Sequence, residues 1–75
     1  MKELVEIIAK SLVDNPDEVE VSEEVDGRQV VVKLHVAKDD MGKVIGKQGR
    51  IAKAIRLVVK AASTKNDLHV DVEII

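Results

Sequence analysis

The 75-residue sequence has no phenylalanine, tyrosine or tryptophan, and no cysteine. Domains that read single strands by stacking bases on aromatic rings, such as RRM, OB-fold and cold-shock domains, are thereby excluded. Without cysteine there is no disulfide framework and no thiolate metal site. His35 and His69 are the only histidines, far apart and without a ligand spacing. Each falls on the polar side of an alternating segment and reads as a surface residue. Long apolar runs are missing too, because Glu3, Glu6 and Lys10 interrupt the first segment. Neither a signal peptide nor a membrane span is predicted, and a cytoplasmic protein is the expectation. No Gly-x-x-x-x-Gly-Lys-Ser/Thr loop and no nucleophile–base pair occurs, so no enzyme, cofactor or metal is expected. The length predicts one domain, residues 1–75, with a small core that self-association would support.

What is present is an uneven charge. The formal net charge of −2 argues against a general nucleic-acid binder, but it hides an asymmetry. Residues 1–37 carry 4 basic and 9 acidic side chains, whereas residues 38–65 carry 8 basic and 2 acidic ones. A local positive segment of this kind is an electrostatic footprint for an anionic partner. The acidic remainder limits indiscriminate binding.

Apolar periodicity divides the chain. Leu4, Val5, Ile8 and Leu12 recur at helical spacing, with Ile7 and Ala9 beside them, predicting a helix over 2–13 that Asp14-Asn15-Pro16 ends. Two alternating segments follow, 18–25 and 28–36, joined by the hairpin signal Asp26-Gly27. Val19, Val21 and Val25 face one way in the first, and Val30, Val32, Leu34 and Val36 in the second. Asp39 or Asp40 is expected to cap a short helix through about Ile45. A longer helix over 50–63 carries a predicted core stripe of Ile51, Ile55, Val58 and Ala62. Ala54, Leu57 and Ala61 widen its apolar arc beyond the needs of one surface helix. Either this helix is wedged between sheet and first helix, or part of the arc meets another subunit. Leu68, Val70, Val72 and Ile74 alternate in a final strand. The result is a two-layer α+β domain.

The centre of the basic segment is Gly42-Lys43-Val44-Ile45-Gly46-Lys47-Gln48-Gly49-Arg50-Ile51. Two glycines bracket two long polar residues just before an apolar-periodic helix. The first amides of a helix lack intrahelical partners and sit at the positive end of its dipole. Glycine has no Cβ, so a backbone can approach closely. The pattern predicts a clamp for a nucleic-acid backbone, with Lys47 and Arg50 adding cationic reach.

An apolar-Ile-Gly-x-x-Gly run between two helices resembles the signature of KH domains, here Val44-Ile45-Gly46-Lys47-Gln48-Gly49. The order helix-strand-strand-helix-helix-strand is that of the type II, prokaryotic KH fold. Length and the segment 42–56 are similar to the small stand-alone bacterial KH proteins of the KhpA (YlqC-like) group. The resemblance implies an α-β-β-α-α-β fold with a three-stranded mixed sheet and three helices on one face. It implies non-catalytic binding of about four unpaired nucleotides. Gly46 to Gly49 would hold phosphates, with Lys47 and Gln48 flanking the chain, Lys43, Arg50 and Lys53 extending the positive track, and Ile45 and Ile51 forming an aliphatic floor. Val32 or Leu34 would lie beneath, and the edge of strand 28–36 would face the bases. Many KH domains carry a large aliphatic residue three positions after the second glycine, where this chain has Ala52. The implied partners are single-stranded RNA, a second copy, or a larger KH protein of the Jag/KhpB type, in a role linked to cell elongation or division. A competing reading is a protein adaptor that chiefly dimerises, with RNA secondary.

Overall fold

The computed structural model describes the backbone of residues 1–75 and every side chain except that of Lys47. Helix α1 spans Lys2–Leu12 and is followed by a single 3-10 turn, Pro16–Glu18. Strands β1 (Glu20–Asp26) and β2 (Gln29–His35) form an antiparallel hairpin. Helix α2 spans Lys38–Lys65, and β3 (His69–Ile74) returns parallel to β2. Within α2, Gln48 and Gly49 have φ of 64° and 67°. Left-handed residues do not continue a right-handed helix, so α2 consists of two helical arms, 38–47 and 50–65. The molecule is thus an α-β-β-α-α-β protein with three helices and a mixed sheet in the order β1-β2-β3.

The hairpin turn is Gly27-Arg28, one residue later than the Asp26-Gly27 signal, because Asp26 still pairs with Gln29. Gly27 has φ of 62°, as the first central position of a type II′ hairpin requires. On β2 the alternation holds throughout. Val30, Val32, Leu34 and Val36 are all buried.

Helical spacing tells which residues share a stripe, but not which stripe meets the core. On α1 the inward positions are Val5 and Ala9, while Leu12 is exposed at its end. On the second arm of α2 the buried line is Ala52, Ile55, Val59 and Ser63, so the expected stripe is rotated and Val58 faces solvent. Ala54, Leu57, Val58 and Ala61 form a second, exposed apolar stripe, with Leu57 70% exposed. The wedged arrangement is therefore not adopted: neither the sheet nor α1 covers this face. Val25 is also exposed, since no helix reaches the hairpin's end of the sheet.

Asp39 and Asp40 do not cap α2. Ala37 holds the cap position, and no side-chain cap bond forms. Asp40 is instead buried in the first turn and reaches across to the loop after α1. Its carboxylate accepts from the Asp14 and Asn15 backbone amides at 3.1 and 3.0 Å and from Asn15 Nδ2 at 3.1 Å. Burial pushes the Asp40 carboxyl up, but these hydrogen bonds and the Lys43 charge outweigh it and hold the group below the ordinary carboxylate range. A carboxyl with a depressed folded pKa stabilises above its unfolded value of about 3.9, and that contribution is lost as pH falls through the folded value. Asp40→Asn is therefore expected to lower Tm at pH 7 by on the order of 5–10 °C. The gap to wild type should close once the pH is well below about 4. A gap that persisted in acid would show that side-chain shape, not the charge, locks this loop.

The outer face of the sheet is acidic. Glu20, Glu24 and Asp26 of β1 and Asp71 and Glu73 of β3 are exposed there, around Lys33 of β2. No described helix is long and apolar enough to cross a membrane, and no described cluster of acidic or histidine side chains is arranged to hold a metal.

Candidate nucleic-acid interface

The glycine segment makes a tighter turn than a loop. Gly46 continues the first arm, and only Gln48 and Gly49 leave the right-handed region. Two left-handed residues in succession end one i→i−4 ladder and start another. A helical arm that opens at such a break presents its first amides at the positive end of its dipole. A Cβ built on Gly46 or Gly49 would meet nothing within 4 Å, so the outer side of the turn is open to an approaching chain. The same holds for Gly42, which therefore has no close-packing role.

Beside the turn lies a groove of about 440 Å³ lined by Ile45, Gln48, Gly49, Ala52, Lys53, Arg56 and Ile74. Its walls are the two arms of α2 on one side and the end of β3 on the other. Ile45 is 57% exposed and supplies much of the apolar surface. Ala52 forms the floor where a bulkier residue would fill it. Ile51, expected on the floor, points elsewhere and packs against the core, because it precedes the inward-facing Ala52 by one helical position. Val32 and Leu34 lie in the core, both fully buried. The strand expected to face the bases, 28–36, does not line this groove. Strand β2 is central and paired on both sides, so its edges are closed, and of the two edge strands, β1 and β3, it is β3 that borders the groove.

Two groups of cations differ in their partners. Lys10, Arg28, Lys33 and Lys43 each pair with a carboxylate, at 2.9, 3.0, 3.6 and 3.0 Å. Lys43 is bound to Asp14 in an exposed pair of small worth. Along the second arm, no described carboxylate pairs with Arg50, Lys53, Arg56 or Lys60. Arg50 is exposed beside the turn but outside the groove. The Lys47 side chain lies outside the described residues, and its backbone is in the turn. Position along the second arm carried this signal in the sequence; Arg56 and Ile74 are the groove residues the glycine motif did not indicate.

A Gly-x-x-Gly turn joining two helices, set beside a parallel edge strand in an α-β-β-α-α-β domain, defines a KH domain of type II. The chain belongs to the family described as KhpA/KhpB, KH domain, whose profile matches residues 2–74. It is 64% identical over all 75 residues to the RNA-binding protein KhpA of Clostridium acetobutylicum, covering the whole of both chains. It is 61% identical, again over the full length of both, to the RNA-binding protein KhpA of Caldanaerobacter subterraneus. The RNA-binding protein KhpA of Chlamydia pneumoniae is 43% identical over 74 residues, 99% of this chain and 95% of that one. No solved structure matches the chain.

Proposed function

We propose that this protein is a non-catalytic module that grips single-stranded RNA at the Gly46–Gly49 turn. The observation that carries the reading is the left-handed break at Gln48 and Gly49, opening onto a groove lined by the cations Lys53 and Arg56, neither paired with a described carboxylate. Its relatives are named as RNA-binding proteins along their full length. In this reading the amides after Gly49 hold phosphate, Lys47, Gln48, Arg50 and Lys53 flank the sugar-phosphate chain, and Ile45, Ala52 and Ile74 receive the bases. Lys43 joins them by releasing Asp14. Phosphate contacts position the strand and base contacts specify it. The test is titration of labelled random-sequence RNA at two salt concentrations. Binding should weaken with salt by a log–log slope of about −0.7 for each phosphate held. Absence of binding at both concentrations would overturn the reading.

One domain with few phosphate contacts binds weakly, and pairing two raises affinity by avidity. The exposed stripe Ala54, Leu57, Val58 and Ala61 supports a homodimer through the second arm of α2. In a twofold contact the same patch meets itself, so Leu57→Asp would set carboxylates face to face. The expected result is a monomer by light scattering at concentrations where wild type is a dimer. An unchanged mass would place the contact elsewhere. The same stripe suits a second KH protein of the Jag/KhpB type. It also favours the adaptor as a second reading, with RNA secondary. A cytoplasmic role in post-transcriptional regulation linked to cell growth rests on the resemblance.

A further inference from the structure

Resting on the RNA reading above, we propose that the groove continues past Arg56 into a second seat, so that the domain holds a strand longer than the four or so nucleotides of a KH grip. Beyond Arg56 a depression of about 380 Å³ runs along the same edge, lined by Val59, Lys60 and Thr64 of the helix and by Val70, Val72 and, at its rim, Asp71 of β3, whose carboxylate accepts from Gln29. Arg56 borders both spaces and is the junction between them. From Arg56 to Thr64 the helix rises about 12 Å, enough for about two more nucleotides of an unstacked strand at about 6 Å each.

The backbone of β3 suits this use. His69 N–H donates to Arg28 O at 2.8 Å and Ile75 N–H to Leu34 O at 2.9 Å. Strand groups alternate in direction, so residues 69, 71, 73 and 75 face β2. The N–H and C=O groups of Val70, Val72 and Ile74 therefore face the open edge. Arg56 Nη2 reaches Val72 O at 3.5 Å, from that open side. Ile74 serves the seat at the glycine turn, and Val70 with the Val72 N–H serves the second, offering hydrogen bonds to base edges, while Arg56 holds the Val72 carbonyl.

Charge selects the occupant. Arg56 and Lys60 are one helical turn apart, and neither is paired with a described carboxylate. They would neutralise successive phosphates. An extended peptide adding to β3 would compete for the same edge, but Arg56 lies across the Val72 carbonyl and interrupts the ladder such a strand needs.

The experiment compares labelled random-sequence RNA pools of about four and about eight nucleotides on wild type and Lys60→Gln, with amide NMR of the complexes. Extra registers alone give the longer pool about a fivefold advantage over a four-nucleotide site. Wild type is expected to favour it by well over tenfold, about the gain of one or two further phosphate contacts. Lys60→Gln should return the ratio to the statistical value with the short pool unaffected. The Val70 and Val72 amides should shift with the longer pool only. A ratio at the statistical value in wild type, an excess that survives Lys60→Gln, or unmoved Val70 and Val72 amides would overturn the second seat while leaving the clamp intact. If wild type bound neither pool, or a variant with Lys47→Asp and Gln48→Asp bound both unchanged, the RNA reading itself would fall, and the second seat with it.

Discussion

Converting Lys47 and Gln48 together to aspartate is expected to remove RNA binding while leaving the domain folded. The pair turns a cationic turn anionic at the point where the strand would pass closest to the backbone. Charge-assisted contacts to phosphate contribute about 1.5–3 kcal/mol each. Losing two of them and adding repulsion should weaken binding a hundredfold or more, about 3 kcal/mol. The fold has reason to tolerate the change. Gln48 is exposed and holds φ of 64°, a region that aspartate occupies more readily than glutamine. Circular dichroism should superimpose on wild type, while the salt-sensitive titration signal vanishes. A folded double variant with unchanged affinity would remove the turn from the binding surface.

The largest effect on stability is expected from Ile55→Ala. Ile55 is fully buried on the second arm, between Ala52 and Val59 on the line that docks this arm. Truncating a buried Ile costs about 2–5 kcal/mol, and small domains have total stabilities near the low end of about 5–15 kcal/mol. Tm should fall by about 10–30 °C. Leu57→Ala, two positions along the same helix but on the exposed stripe, should change the monomer's stability by about 0.5 kcal/mol or less. Far-UV melting of the two variants checks the orientation of the arm. Similar melting temperatures would mean that the arm is not docked through Ile55.

These two variants also show where the sequence is legible. Strict alternation made the inward face of β2 readable, since a period of two leaves only two choices and one contained Lys33 and His35. On the helices the choice is wider. Val58 and Val59 are adjacent, similar and about 100° apart, and composition does not distinguish them. Their neighbours decide, because Val59 continues the line from Ala52 and Ile55 that lies over the sheet, whereas Val58 continues Ala54 and Leu57. Leu12 failed for a related reason, since α1 ends there and nothing extends beyond it to cover the side chain. The glycine motif located the turn, but not that its left-handed part is confined to Gln48 and Gly49. The wall of the groove was illegible from alternation. Parallel and antiparallel strands share a period, and only the order β1-β2-β3 makes β3 an edge strand and closes β2 on both sides. Arg56 takes its place in the groove only from that edge, which lies opposite it.

The acidic outer face of the sheet has a consequence for the kinetics of encounter. Five exposed carboxylates lie on one side of a thin domain, and the cations of the second arm lie on the other. The domain is therefore asymmetric in charge, which its net charge of only −2 hides. A polyanion approaching the sheet is repelled, and within about a Debye length of 8–10 Å the domain rotates its helical side forward. Collisions are thereby sorted before any contact is made. The association rate, more than the lifetime of the complex, then carries the salt sensitivity.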